Sequence, residues 1–128
     1  MPLASLPNAL APIAERFASN RQERQQRRHL VKSDFAELAA AGFTRVAVPT
    51  SDGGFWESLS TATRPICQAL RTLAQGDSSV ALVSAMHPAV LSYWLVAREK
   101  TPTEPHWVAQ AETVFQSANA RWKHAMLH

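Results

Sequence analysis

The chain has 128 residues, 46% of them apolar, with 4 glycines, a single cysteine and a formal net charge of +3. That leaves room for one domain with a buried core and excludes a disordered or collagen-like composition, an internal disulfide framework and a cysteine-rich zinc site. So few glycines argue against an all-β fold with many tight turns, and so small a charge gives no reason to expect nucleic acid as a partner.

The N-terminal stretch MPLASLPNALAPIAERF has no basic segment ahead of its apolar residues and carries Pro2, Pro7 and Pro12, so no secretory signal is expected. Residues 1–7 form a flexible lead-in. A helix is predicted from Asn8, a good N-cap type, with Ala9, Ile13 and Phe17 on one stripe. It runs into the very polar SNRQERQQRRH, where Arg21, Arg24 and Arg28 share a face beside Arg27. Such a face could meet an anionic partner. With no aromatic residue among the arginines to stack a base, a solvated face or charged connector is the expectation.

Ser33 or Asp34 caps a short helix, with Phe35, Leu38 and Ala39 facing inward and Gly42 as its left-handed stop. FTRVAVP is expected to be extended as far as Pro49, and Thr50-Ser51-Asp52-Gly53-Gly54 forms a turn. Ser58 or Ser60 caps the next helix. Its regular part is placed near Arg64, because Pro65 is best tolerated in a first turn. Ile66, Ala69, Leu70, Leu73 and Ala74 form its apolar stripe, and Gly76 ends it.

Asp77 then caps the most apolar stretch, with no Asp, Glu, Lys or Arg between 78 and 97. Its length matches a membrane span. Ser78, Ser79, Ser84, His87, Pro88 and Ser92 interrupt it, and the amphipathic neighbours need an apolar partner, so a buried helix and no membrane contact are expected. Val80, Val83, His87, Leu91 and Trp94 make its bulky side; Ala81, Ala85, Pro88, Ala89 and Ser92 make its small side. Pro88 should kink or break it near Ser84. After the linker 98–105, a last helix is predicted over 106–120, with Trp107, Ala111, Val114, Phe115 and Ala118 on one side. The fold class is therefore all-α, a helical bundle with a central buried helix near 78–97.

His87, on the bulky side at the proline, could exchange a proton with a substrate or bond a freed carbonyl in the core. His124 and His128 have metal-ligand spacing, but Ala125 stands where the zinc-protease pattern has Glu, so no metal is expected. The Asp52-Gly53-Gly54 turn lacks the phosphate-loop Lys and Ser/Thr, and no GxSxG elbow exists for a serine nucleophile. Cys67 is expected to be a small core or boundary residue.

AAAGFTRVAVPTSDGGFWESL resembles a landmark of the acyl-CoA dehydrogenase superfamily through Ala41, Gly42, Val48, Pro49, Gly53 and Gly54. The following ICQALRTLAQGDSSVALVSAMH resembles its next landmark through Leu73, Ala74, Asp77, Ser79, Met86 and His87. The run from Trp107 to Phe115 is similar to a subgroup of the family with the same helix. The resemblance covers roughly residues 10–122 and places an N-terminal-like helical domain at 8–122.

The resemblance implies an FAD-dependent oxidoreductase. It would carry out α,β-dehydrogenation of an acyl-CoA or a related flavin monooxygenation on another small-molecule substrate. The full-length enzyme would be a cytoplasmic homo-oligomer. In the family, FAD and the catalytic glutamate belong mainly to a middle β-domain and a C-terminal bundle, while the N-terminal helices help wall the substrate pocket. Where the family continues with Trp-Gly and Ser-Glu, this sequence has Trp122-Lys123 and then Leu127-His128, so 123–128 is expected to be a truncated tail. No catalytic residue is carried over, FAD is not expected to bind this chain alone, and activity alone is not expected. Met86 and His87 are the substrate-pocket residues the resemblance suggests. A helical part of this kind would expose apolar surface, with Trp94, Trp107 and Trp122 as the residues concerned, and would self-associate. From the residues alone, a stand-alone interaction module using the Arg21–Arg28 face is the other reading.

Overall fold

The computed structural model describes residues 3–110 and Thr113. Helices α1 (Leu6–Ser19), α2 (Arg21–Gln26), α3 (Lys32–Ala40), α4 (Leu59–Gly76), α5 (Ser78–Lys100) and α6 (His106–Gln110) account for most of them, with short 3₁₀ turns at Leu3–Ser5, Phe43–Arg45 and Thr50–Asp52. No strand occurs among the described residues, so the all-α class holds.

α4 lies in the middle of the packing, with α1 against one side and α5 against another. Its buried residues Ala62, Ile66, Ala69, Leu73 and Gly76 recur every three or four positions, which is one helical face. Leu6, Leu10, Ala14 and Phe17 of α1 pack toward it. Gly76 lets the two backbones approach closely, since a Cβ there would collide with the backbone of Ala14. α1 begins two residues earlier than Asn8, behind Ser5. The reason is Leu6, fully buried at the start of the stripe, so the lead-in is already part of the packing from Leu3 onward.

α5 is not the central buried helix. Val80, Ala81, Ser84, Pro88, Leu91 and Leu95 form its buried strip, which cuts across the boundary between the bulky and small sides. Its opposite face is exposed and apolar: Leu82 is 74% exposed, Met86 63% and Tyr93 73%. Composition therefore misled, because apolar residues lie all round this helix while only one strip of them has a partner. The helix is continuous through Pro88, which is buried in that strip. Packing along it offsets an interior-proline penalty of about 3 kcal/mol. Asp77 caps the helix as expected, accepting from the Ser79 and Val80 amides at 3.0 and 3.1 Å.

Ser58 caps α4 by accepting from the Thr61 amide at 3.2 Å, and the helix runs from Leu59, with Pro65 inside it rather than in its first turn. The segment expected to be extended before Pro49 is instead a 3₁₀ turn followed by tight turns. Val46, Ala47 and Val48 are all fully buried, so burial on every side, not strand alternation, explains this apolar run. The chain then doubles back. The Trp56 amide donates to the Val48 carbonyl at 2.9 Å, and the Thr50 amide to the Trp56 carbonyl at 3.0 Å. Gly42 (φ 100°) and Gly53 (φ 87°) supply the left-handed turns. Gly54 serves differently: a Cβ there would strike the Val48 carbonyl. The predicted last helix is described only at His106–Gln110; Trp122, His124, His128 and the tail at 123–128 lie outside the described residues.

Candidate functional site

Two concave regions flank α5. The first is an apolar cavity of about 90 Å³ lined by Phe35, Leu38, Phe43, Thr44, Val83, Ser84 and His87. α3 supplies Phe35 and Leu38 from its inward face. The 3₁₀ turn that Gly42 starts brings Phe43 and Thr44 across to α5. The His87 Nε2–H donates to the Thr44 carbonyl at 2.8 Å. A carbonyl only accepts, so this bond fixes the proton on Nε2 and leaves Nδ1 as the ring's remaining polar atom. His87 thus bonds a carbonyl in the core, as one sequence expectation had it, although that carbonyl belongs to Thr44. The Ser84 hydroxyl, one turn away, is buried without a hydrogen-bond partner.

Met86 is 63% exposed and does not line this cavity. Met86 and His87 are therefore neighbours in sequence that face different surroundings. In the sequence Ser84 stood out only as a polar interruption of 78–97 and for its carbonyl below Pro88; the spacing of three from His87 was the signal for its hydroxyl. Trp94 packs against the core, and Trp107 is held by its indole N–H, which donates to the Thr101 carbonyl at 2.9 Å. The apolar surface lies instead on Leu82, Val83, Met86, Val90 and Tyr93.

The second region is a polar groove of about 560 Å³, where Arg21, Arg24, Arg27, Arg28 and His29 face Asp34, Asp77 and the first turn of α5. The arginines do not form a free basic face. The Arg24 guanidinium donates to Asp34 through both Nη atoms, at 3.2 and 2.6 Å, and through Nε to Asp77 at 2.8 Å, with its centre 3.8 Å from the Phe17 ring. Arg21 donates to the Gln75 carbonyl at 2.6 Å, and Arg27 reaches Glu23 and Asp34. Burial works against the charge on Arg24, but its bonds to Asp34 and Asp77 outweigh this and raise its pKa. Burial likewise favours the neutral form of Asp77. The Val80 amide, Arg24 and the Ser79 amide prevail and hold its carboxyl below the usual carboxylate range. Helical spacing predicted one face for Arg21, Arg24 and Arg28, but α2 ends at Gln26 and Arg27 is extended, so Arg28 lies beyond the helix; nor did spacing show that two aspartates distant in sequence close on Arg24.

No known protein family, no curated protein and no solved structure matches the chain. Neither of the two concave regions fits a flavin. The cavity beside His87 is well below the roughly 300–1,000 Å³ of ordinary cofactor pockets. The larger groove is lined by paired guanidinium and carboxylate groups, with no apolar slot for an aromatic ring system. Among the described residues no cluster of His, Cys, Asp and Glu could hold a metal ion. Cys67, expected in the core or at its boundary, is exposed on α4 because it falls between the buried Ile66 and Ala69 on the turning face of the helix.

Proposed function

We propose that this chain is the N-terminal helical part of an acyl-CoA dehydrogenase-like flavoprotein and that α5 helps wall its substrate pocket. The observation that carries the reading is the apolar cavity lined by His87, one of the two residues the resemblance suggests for the pocket; Met86, the other, lies outside it. At about 90 Å³ the cavity would be one wall of a larger pocket that other segments complete, and its buried Ser84 hydroxyl and its imidazole are polar groups in otherwise apolar surroundings. Further support comes from the shared motif positions. Gly42 and Gly53 adopt left-handed turns, Gly54 fits only without a Cβ, and Asp77 caps α5.

These residues would contact or orient the substrate, an acyl-CoA or a related small molecule. FAD and the proton-abstracting base would come from other segments, so no redox step is assigned to this chain. The full enzyme would be a cytoplasmic homo-oligomer.

The test is affinity purification of the tagged protein from its native cells. Recovery of flavin absorbance that bleaches on adding acyl-CoA, or of flavin that, once reduced with dithionite, is reoxidised by oxygen while an aromatic substrate is hydroxylated, is the expected result. A colourless preparation that responds to neither would overturn the proposal. Flavin bound and reduced by the 128-residue chain on its own would overturn the assignment of that chemistry to other segments.

A further inference from the structure

The exposed side of α5 has a pattern beyond mere apolarity. Ser79, Val83, Met86, Val90, Tyr93 and Ala97 recur at spacings of four and three, the 3.5-residue repeat of a helix that packs along a second helix. All are exposed except the half-buried Ala97, and no Asp, Glu, Lys or Arg lies between 78 and 97. The spacing is also symmetric about Pro88, which points the other way into the core. If two copies of α5 run antiparallel about a two-fold axis beside residue 88, Met86 meets Val90 of the other copy, Val83 meets Tyr93, and Ser79 meets Ala97. Each contact then occurs twice, as an isologous interface requires. Medium side chains face large ones, and Ala89, exposed near the axis, lets the helices come close. Antiparallel alignment also sets opposite helix-dipole ends together.

We infer that a second copy of this chain covers the α5 face, forming an antiparallel two-fold dimer along Val83, Met86, Val90 and Tyr93. The area supports this occupant. Those side chains and Leu82 leave on the order of 500 Å² of apolar surface per copy, at the upper end for a soluble monomer. Pairing two copies covers about 1,000 Å², enough for a specific but weak interface. Val83 borders the His87 cavity, but Met86, Val90 and Tyr93 lie clear of it, and the dimer does not rest on the flavoprotein reading.

Sedimentation equilibrium of the full chain over a range of concentrations is the first measurement, and a reversible monomer–dimer equilibrium is expected. Met86→Glu should weaken it on the order of 100-fold or more, because two charges would be buried at the axis, while leaving the helical circular dichroism unchanged. The register is tested by Val83→Lys and Tyr93→Glu. Each alone should give monomer, and the two together in one chain should restore the dimer through two symmetric ion pairs. A monomer at every concentration, a dimer indifferent to Met86→Glu, or failure of the double variant to recover would overturn the proposal. So would flotation of the wild-type chain with phosphatidylcholine vesicles, which would make α5 a membrane-seeking helix by its length and apolarity.

Discussion

Arg24 and Asp34 form a two-pronged ion pair, with N–O distances of 2.6 and 3.2 Å and side chains only 7% and 6% exposed. The pair joins α2 to α3, and the third arm to Asp77 extends it to the cap of α5. The charged α2 region, polar all round, is thereby tied to a bundle it could not join by apolar packing. Removing the guanidinium would leave two carboxylates sharing one poorly hydrated site. Arg24→Ala should therefore cost about 3–5 kcal/mol, the range for breaking a buried pair. Arg24→Lys should recover only part of it, since one ammonium cannot reproduce the planar fork. Urea denaturation of the three proteins is the check; equal stability of wild type and Arg24→Ala would show that the pairing contributes nothing.

Acid should act through Asp77. Its pKa is lower in the folded chain than in the unfolded one, so protons bind the unfolded state more readily as pH falls. Its stabilising contribution is complete above the unfolded carboxylate range, near pH 4, and is lost as pH drops through the folded value. The raised pKa of Arg24 has the opposite sign and matters only in strong alkali. Asp77→Asn keeps an oxygen that can cap α5 but removes the charge that meets Arg24. It should lower the melting temperature at neutral pH, and its curve should converge on wild type in acid. Parallel curves for the two proteins from pH 7 to pH 2 would exclude Asp77 as a source of acid sensitivity.

Local rules carried much of the fold. Asp77 was legible as a cap, Ser58 as one of two alternatives with Ser60, Gly42 as a left-handed stop and Gly53 as part of a turn that permits positive φ, because each expresses a property of one residue and its near neighbours. Most of the α4 stripe was legible because its apolar residues alternate with polar ones, although Ala74, placed on it, is exposed. α5 was not, because every face of it is apolar and periodicity then says nothing about which side is covered. The 46–48 segment failed for a related reason: three consecutive buried residues in a compact turn look like a strand until the Val48–Trp56 contact is known. At the candidate site, His87 stood out by residue type. Its bond to Thr44 spans elements far apart in the chain, as does the Arg24–Asp77 bond, and no spacing rule encodes either.

Gly76 poses a competition whose sign the structure decides. In an exposed helix interior, Gly→Ala gains up to about 1 kcal/mol from helix propensity. Here the new methyl would overlap the Ala14 carbonyl, Cα and carbonyl carbon, all backbone atoms that cannot rotate away. Overpacking costs about 1–3 kcal/mol, so Gly76→Ala should be destabilising overall, with α1 displaced from α4. Because the obstruction is backbone, adding Ala14→Gly should not relieve it. Thermal denaturation of the single and double variants checks both statements; a stabilised Gly76→Ala would mean that α1 moves aside freely.

Ser84 offers a substitution expected to stabilise. Its hydroxyl is buried beside Pro88, whose missing N–H already removes one helical bond to the Ser84 carbonyl, and the hydroxyl itself has no partner. Leaving such a group unsatisfied costs about 1–3 kcal/mol. Ser84→Ala removes that penalty and enlarges the cavity by one small atom, so the melting temperature should rise. His87→Ala should do the reverse, losing the 2.8 Å bond to the Thr44 carbonyl and the packing of the ring, at a cost of about 1–3 kcal/mol. The two substitutions line the same cavity and share neighbours, so their effects need not add, and the double variant measures the coupling. If Ser84→Ala lowers stability instead, the hydroxyl is satisfied in solution, and a polar molecule held in the cavity between Ser84 and His87 becomes the explanation to pursue.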